Sequence, residues 1–144
     1  ENDWESSQTH NNFKIKKIDN IKSITINSLT KSYRLEDYKT IIKLDIEGNE
    51  MNAIQGGLEL IKKSSPIIII EFSKYIFDNK NNIDYLKNFL TNCDYSIYDT
   101  TKMKISLDDV LVKINKLQKR YKTIGNFYLI KNLSDNLKVF LSHE

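Results

Sequence analysis

Residues 67–70 are four consecutive isoleucines, and Glu71 follows them directly. A strand with one face in water alternates apolar and polar side chains, whereas a strand covered on both faces is apolar throughout. Because β-branched residues also favour strands over helices, the run predicts an interior strand of a parallel sheet. Few folds offer such a position, so this segment constrains the architecture more than any other.

The segment that precedes this run has the pattern of a second strand followed by a helix. Residues 41–50 read IIKLDIEGNE, which predicts a strand over 41–46 and a helix that begins at Asn49-Glu50. The helix is expected to end near Lys63, before Pro66, because apolar residues recur at helical spacing: Met51, Ile54, Leu58 and Ile61. Two strands joined by one helix form a right-handed βαβ crossover, so the fold class is α/β.

The remaining elements follow from periodicity and turn residues. Extended segments are predicted over 13–18 and 21–29, and a helical turn over 35–38. A helix over 82–92 precedes a strand over 95–98, and a helix capped by Ser106 runs to about residue 121. A last strand covers 126–131, and one amphipathic turn at 137–141 lies in a polar tail. The sequence predicts one domain, with lead-in segments over 1–40, a core over 41–131 and a tail over 132–144.

The composition excludes several classes of function. A chain of 144 residues can bury one core but hardly two. Its formal net charge is only +3, and its lysines are dispersed, which argues against nucleic acid or an anionic membrane as the partner. The single cysteine, Cys93, permits neither a disulfide framework nor a cysteine metal cluster. No apolar run reaches the length of a membrane span, and we expect a cytoplasmic protein.

Acidic residues end both predicted strands of the βαβ unit. Asp45 closes the first strand and Glu71 the second, and neighbouring strands lie about 4.8 Å apart. Ligands of open α/β sheets bind at the carboxyl ends of the strands. The pair could take a proton from a hydroxyl, attract a cationic cofactor or hold a hard metal ion such as Mg²⁺. Alternatively, Asp45 caps a turn and Glu71 pairs with a lysine.

The residues around Asp45 suggest further roles. Gly48 is expected to adopt a conformation closed to other residues, or to let a ligand approach the backbone. Glu47 either faces a ligand or caps backbone N–H groups. Glu50 suits the positive end of the helix dipole. Lys43 shares a face with Asp45 by strand alternation, which predicts an internal ion pair.

The string KLDIEGNE at 43–50, with Gly56 in the helix and PIIIIE at 66–71, resembles the FkbM-type methyltransferase family. Residues 23–29 resemble the extended segment that precedes this string in the family. The resemblance implies a partial class I, Rossmann-like methyltransferase sheet, in which the predicted strands are strands four to seven and the last runs antiparallel between five and six. It also implies S-adenosyl-L-methionine as cofactor and O-methylation of a sugar or small metabolite. Asp45 and Glu71 would then be catalytic, and Glu47, Gly48 and Glu50 would bind the substrate.

The chain departs from this family in one respect. The glycine-rich turn after strand one and the acid after strand two, which hold the cofactor in such folds, have no counterpart here, so the cofactor-binding residues stay unassigned. The sequence is therefore expected to be the carboxyl-terminal portion of a methyltransferase. Without strand one, the strand over 41–46 becomes an open edge, which would bind another chain, pair with itself in a homo-oligomer or be covered by residues 13–29. The alternative function is an inactive or truncated module that assembles through this edge.

Overall fold

A computed structural model describes residues 23–117, 122–132 and 134–142 of the chain. Its centre is the βαβ unit that the isoleucine run predicts. Strand β1 (Ile41–Leu44) leads into helices α2 (Glu50–Gly56) and α3 (Leu58–Ser64), which return the chain to β2 (Ile67–Ser73). The two strands are parallel neighbours, with Ile41 opposite Ile67 and Leu44 opposite Ile70. The α/β fold class is confirmed.

Three more strands complete a five-stranded sheet of order β1-β2-β5-β3-β4. They are β3 (Tyr95–Tyr98), β4 (Lys104–Ile105) and β5 (Thr123–Lys131). Strand β5 lies between β2 and β3 and runs antiparallel to both. The prediction that the last strand inserts antiparallel between the isoleucine strand and the strand over 95–98 is therefore confirmed.

One face of the sheet carries the main core. Leu44, Ile70 and Leu129 belong to one buried cluster together with residues from the helices, among them Ile54, Leu86 and Val110. The helices between β2 and β5 are α4 (Lys74–Phe77), α5 (Lys80–Asn92) and α6 (Leu107–Asn115). Side chains on the alternate positions of the strands point to the opposite face, where Phe140 of helix α7 (Asp135–Ser142) contacts the rings of Tyr98 and Tyr128.

The prediction of an extended segment over 21–29 is wrong for its second half. Residues Ile26–Tyr33 form helix α1, which Thr25 caps by accepting a hydrogen bond from the Ser28 N–H. Ile26 packs against Gly57, and the Asn27 side chain accepts a hydrogen bond from the Leu60 N–H. These contacts with the beginning of α3 stabilise a helix here, although the alternating pattern of apolar residues favours a strand. Residues 13–18 lie outside the described part of the chain.

Several predicted boundaries change. The helix expected over 50–63 is broken at Gly57 into α2 and α3, and the helix from Ser106 ends at Asn115. Strand β1 ends at Leu44, two residues early, whereas β2 continues to Ser73. The predicted turn at 137–141 is an eight-residue helix, and the predicted helical turn near residue 35 is a 3₁₀ helix, Leu35–Asp37. Two elements, α4 and β4, were not predicted.

Strand β1 is an edge of the sheet in the described part of the chain. Ile41 is 64% exposed and Ile46 is 42% exposed, which are high values for large apolar side chains. The predicted open edge is therefore present among these residues. No helix of the described ranges is long and apolar enough to cross a membrane.

Candidate functional site

The predicted acids lie on neighbouring strands: Asp45 directly follows β1, whereas Glu71 lies within β2, two residues before that strand ends at Ser73. Leu44 and Ile70 are the last paired residues of these strands, and Asp45 and Glu71 follow them. Since Leu44 and Ile70 face the core, strand alternation places both acids on the opposite face of the sheet. The structure thus brings together the two side chains that the sequence proposed as a pair.

Asp45 is paired with Lys43. The Lys43 ammonium donates a hydrogen bond of 2.9 Å to Asp45 Oδ2, and both side chains are about half exposed. The predicted ion pair is confirmed, but it is not internal because β1 is an edge strand. The alternative role of Asp45 as a turn cap stays a prediction. The pair fixes the orientation of a carboxylate that solvent and ligands can reach.

The pKa of Glu71 depends on the charges of the two other acids, Asp45 and Glu47. Burial raises the pKa of its carboxyl group, and the negative charges of Asp45 and Glu47 raise it further. The nearby Thr123 hydroxyl and the positive charge of Lys43 lower this pKa and so act in the opposite direction. No ion pair in the described ranges joins Glu71 to a lysine. Asp45, Glu47 and Glu71 therefore lie close enough at this end of the sheet for their charges to interact.

The turn after β1 has an unusual backbone. The Asn49 N–H donates to the Ile46 carbonyl across 3.3 Å, and the two residues between them have positive φ, 55° at Glu47 and 100° at Gly48. Two such residues in succession are typical of a type I′ turn. Glycine adopts this conformation without strain, whereas glutamate does so at a cost. A strained residue within a ligand-binding region is a functional candidate.

The side chain of Glu50 holds this turn by a hydrogen bond to its backbone. Its side chain is 2% exposed, and Oε1 accepts a 3.0 Å hydrogen bond from the Ile46 N–H. The backbone capping that was considered for Glu47 is therefore performed by Glu50. The other oxygen, Oε2, is buried and has no partner among the described residues. This placement gives Glu50 a contact with the turn, while its predicted role in substrate binding stays a prediction.

A tyrosine and a lysine beside the turn were missed in the sequence. A Cβ added at Gly48 would lie 2.9 Å from Tyr75 Cβ, so the glycine permits the close approach of Tyr75. Lys122 donates a hydrogen bond to the Tyr75 hydroxyl and lies 5.0 Å from the centroid of its ring. Both residues come from loops or short elements distant in the chain. No motif or spacing in the sequence signals their contact.

The strand pairing beside Glu71 is irregular. Glu71 lies opposite Asn126, Phe72 opposite Gly125 and Ser73 opposite Thr123, so Ile124 has no counterpart on β2. This is a β-bulge, a feature that redirects side chains and is common near functional sites. The Thr123 hydroxyl donates to the Phe72 carbonyl across 3.1 Å. The bulge accounts for the presence of Thr123 next to Glu71, which the sequence did not reveal.

The donor set of the site suits a cationic or hydroxyl-bearing ligand better than a preformed metal centre. Within the described ranges, no group of three or more His, Cys, Asp or Glu side chains has an arrangement that could hold a metal ion. Glu47 and Asp45 are exposed, and Glu71 is partly exposed. Carboxylates in such positions can accept hydrogen bonds from hydroxyl groups and attract positive charge.

The fold and this site together define an α/β protein with an acidic ligand site at the carboxyl ends of two parallel strands. A family model described as the methyltransferase FkbM domain matches residues 1–97. The match covers more than half of the chain, including both strands of the βαβ unit, and the chain belongs to this family. No curated protein and no solved structure matches it. The resemblance seen in the sequence is thus confirmed. At the level of the family, the protein is a methyltransferase.

Proposed function

We propose that this protein is an S-adenosyl-L-methionine-dependent methyltransferase that methylates a hydroxyl group of a sugar or small metabolite, and that the residues at the ends of β1 and β2 bind the acceptor. The observation that supports this most strongly is the shared position of Asp45, Glu47 and Glu71 in a chain of the FkbM family. Methyl transfer to oxygen requires a positioned hydroxyl and a group that removes its proton. The site offers carboxylates for both tasks.

Asp45 is suited to orient the acceptor. Its ion pair with Lys43 restrains one carboxylate oxygen, Oδ2, and the other oxygen remains able to accept a hydrogen bond from a hydroxyl group. The half-exposed position of the side chain allows a ligand to reach it. We assign Asp45 the role of orienting the hydroxyl whose oxygen becomes methylated.

Glu71 is suited to accept the proton. A general base works best when its pKa is near the pH at which the enzyme operates, and burial together with Asp45 and Glu47 raises the pKa of Glu71. The Glu71 carboxylate would accept the proton that the acceptor hydroxyl loses, and S-adenosyl-L-methionine, when bound, would supply the methyl group as its carbon–sulfur bond breaks.

The charge of the site fits the proposed cofactor. S-adenosyl-L-methionine carries a positively charged sulfonium group and, when bound, supplies the methyl group. Asp45, Glu47 and Glu71 place negative charge at this end of the sheet, and such charge favours a cation nearby. Gly48 and the positive φ of Glu47 shape the turn beside these acids. The residues that hold the rest of the cofactor stay unassigned.

The proposal is tested by a methyl-transfer assay of the protein. Radiolabelled S-adenosyl-L-methionine is incubated with a panel of hexoses, deoxyhexoses and amino sugars, and label in the sugar fraction is measured. For any sugar that accepts the label, we expect Glu71→Gln to reduce the rate by about 10²–10⁴-fold, the usual contribution of a general base, and Asp45→Asn to reduce it because the acceptor hydroxyl is no longer held in position. The wild-type rate is expected to rise with pH through the raised pKa of Glu71.

Glu59→Gln provides a matched control. Glu59 lies on α3 and is exposed, so the substitution makes the same chemical change away from the strand ends. It should leave the transfer rate unchanged, and circular dichroism should show that all three variants are folded. Full turnover by Asp45→Asn would rule out the role assigned to Asp45, and failure of every hydroxyl acceptor would argue against O-methylation.

A further inference from the structure

Tyr75 is held at both ends of its side chain. A Cβ added at Gly48 would lie 2.9 Å from Tyr75 Cβ, so the base of the side chain packs against the turn after β1. At the other end, the Tyr75 hydroxyl accepts a hydrogen bond from Lys122, which directly precedes β5. The Lys74 N–H donates to the Lys122 carbonyl across 2.6 Å, which fixes α4 to the start of β5. The phenol ring therefore reaches from the turn to the segment that leads into β5.

This phenol ring lies across the end of β2, near Glu71. Strand β2 is placed between β1 and β5 in the sheet, so a side chain that joins the turn after β1 to the start of β5 must cross it. Gly48 directly follows Glu47, and Lys122 directly precedes Thr123. Glu47 and Thr123 are both close enough to Glu71 to change its pKa. The two ends of the phenol side chain are therefore held by neighbours of groups that act on Glu71.

The hydrogen bond with Lys122 decides how the Tyr75 hydroxyl can act. A lysine ammonium only donates hydrogen bonds, whereas a phenol hydroxyl can accept and can also donate one. Since the Tyr75 hydroxyl accepts from Lys122, its own proton remains for a further partner, and no described residue accepts it. The side chain is 39% exposed, so a ligand can reach it. Tyr75 therefore supplies one hydrogen-bond donor in a fixed position.

The carboxylates of Asp45 and Glu71 complement this donor. An ionised carboxylate only accepts hydrogen bonds, so a ligand at this end of the sheet must donate to the acids and accept from the phenol. Two hydroxyl groups on adjacent carbon atoms do both, because each hydroxyl donates and accepts. The ring of Tyr75 adds an apolar surface for the C–H groups of such a ligand. A cyclic polyol therefore uses all of these groups, whereas an alcohol with a single hydroxyl uses only some of them.

We infer that Tyr75 determines the specificity of the acceptor site, because its hydroxyl donates a hydrogen bond to an oxygen of a cyclic polyol next to the hydroxyl that Asp45 and Glu71 engage. Lys122 is then a positioning residue, since it acts on the acceptor through the Tyr75 hydroxyl. The inference rests on the proposed function, because it concerns the same acceptor site. It adds the requirement that the acceptor carries a second oxygen beside the one that is methylated.

Methyl-transfer kinetics with paired acceptors test the role of Tyr75. Each hexose that accepts the label is compared with its monodeoxy analogues, each of which lacks one hydroxyl group. The analogue without the methylated hydroxyl gives no product. An analogue without the neighbouring hydroxyl should lose roughly tenfold in kcat/KM with the wild-type protein, the effect of one hydrogen bond. Tyr75→Phe keeps the ring and should lose about as much with the parent hexose, without a further loss for that analogue.

Two more variants separate this role from a structural one. Tyr33→Phe makes the same chemical change on α1, where Tyr33 is 66% exposed, and should leave every rate unchanged. Lys122→Met removes the ammonium that holds the Tyr75 hydroxyl. It should raise KM for the parent hexose more than it lowers kcat, and it should retain part of the discrimination because the hydroxyl is still present. Circular dichroism should show that all of these variants are folded.

The outcomes distinguish this inference from the proposed function. Loss of discrimination in Tyr75→Phe, with Tyr33→Phe unchanged, would support the inference. A loss in Tyr75→Phe that is equal for all acceptors would mean that the hydroxyl serves only the local structure, and this result would overturn the inference. Unchanged kinetics in Tyr75→Phe would overturn it too. Both results leave the proposed methyl transfer intact, because the wild-type protein is active in them, whereas absence of transfer to every sugar would overturn the proposed function and the inference together.

Discussion

Gly48 and Tyr75 are in such close contact that the absence of a side chain at position 48 is required by the fold. A Cβ at Gly48 would lie 2.9 Å from Tyr75 Cβ, and the φ of this glycine is +100°. The turn between β1 and α2 therefore depends on a glycine for two reasons, its backbone conformation and the space that Tyr75 occupies. The two reasons can be separated by experiment.

Gly48→Ala should destabilise the protein by more than the strain of its backbone alone. Gly125 also has a φ of +100°, but a Cβ there would meet nothing within 4 Å. Gly125→Ala thus measures the cost of the conformation, about 1–3 kcal/mol, and Gly48→Ala adds the displacement of Tyr75. Urea denaturation of both variants gives the difference. Equal losses of stability would show that Tyr75 moves away without cost.

Glu50 should protect the Ile46 amide from exchange with solvent. Its Oε1 accepts the hydrogen bond of this N–H within a buried environment. Glu50→Ala removes the acceptor and is expected to cost about 1–3 kcal/mol, whereas Glu50→Gln keeps an oxygen that can accept the bond. Hydrogen exchange measured by NMR should show faster exchange at Ile46 in the alanine variant only. Unchanged protection in that variant would mean that another group holds the turn.

Ser106 should stabilise α6 through a pair of reciprocal hydrogen bonds. The Ser106 hydroxyl accepts from the Asp109 N–H at 3.1 Å, and Asp109 Oδ2 accepts from the Ser106 N–H at 3.2 Å. Ser106→Ala is expected to cost about 1 kcal/mol, as for other N-caps. Thermal unfolding should show the loss, and Asp108→Asn, also in the first turn but outside this pair of bonds, serves as the control.

The effect of Ser106→Ala should depend on pH. Hydrogen bonds from Ser106 lower the pKa of Asp109. A lowered pKa in the folded state means that this stabilisation is present above the pKa of the unfolded chain and is lost as the pH falls through the folded value. The variant should therefore differ most from wild type near neutral pH and least in strong acid. A difference that is constant with pH would contradict this account.

The sequence predicted the central unit of the fold because its signals are local. Four consecutive isoleucines at 67–70 and the apolar spacing after Glu50 each indicate their own structure. The acids at the strand ends could be located for the same reason. That these acids lie near each other could be predicted from one rule, namely that neighbouring parallel strands have their carboxyl ends at the same edge of the sheet.

The features that the sequence did not reveal depend on contacts between distant residues. Ile26 packs against Gly57, which selects a helix where an alternating pattern suggested a strand. Tyr75 meets Lys122 across 47 positions of sequence. The side chain of Glu50 is buried and accepts a hydrogen bond from the Ile46 N–H, although the family resemblance implied that it binds the substrate. In each case tertiary packing overrides a local preference.

Glu71 should destabilise the folded protein once it becomes charged. Burial and the charges of Asp45 and Glu47 raise its pKa above the ordinary value of 4.5. A group with a raised pKa binds its proton more tightly in the folded than in the unfolded state. Its favourable contribution is therefore complete below the unfolded pKa and is lost as the pH rises from about that value through the folded pKa.

Glu71→Gln should consequently raise the stability of the protein at pH 7 relative to wild type, and this gain should vanish at pH 3 to 4, where the wild-type carboxyl is already protonated. Urea denaturation at both pH values measures the effect. Glu59→Gln, at an exposed position on α3, controls for the loss of one negative charge. Asp45→Asn removes one of the charges that act on Glu71 and should lower the pKa of Glu71, seen by NMR titration. A gain in stability that is independent of pH would show that the three acids do not interact as the structure places them.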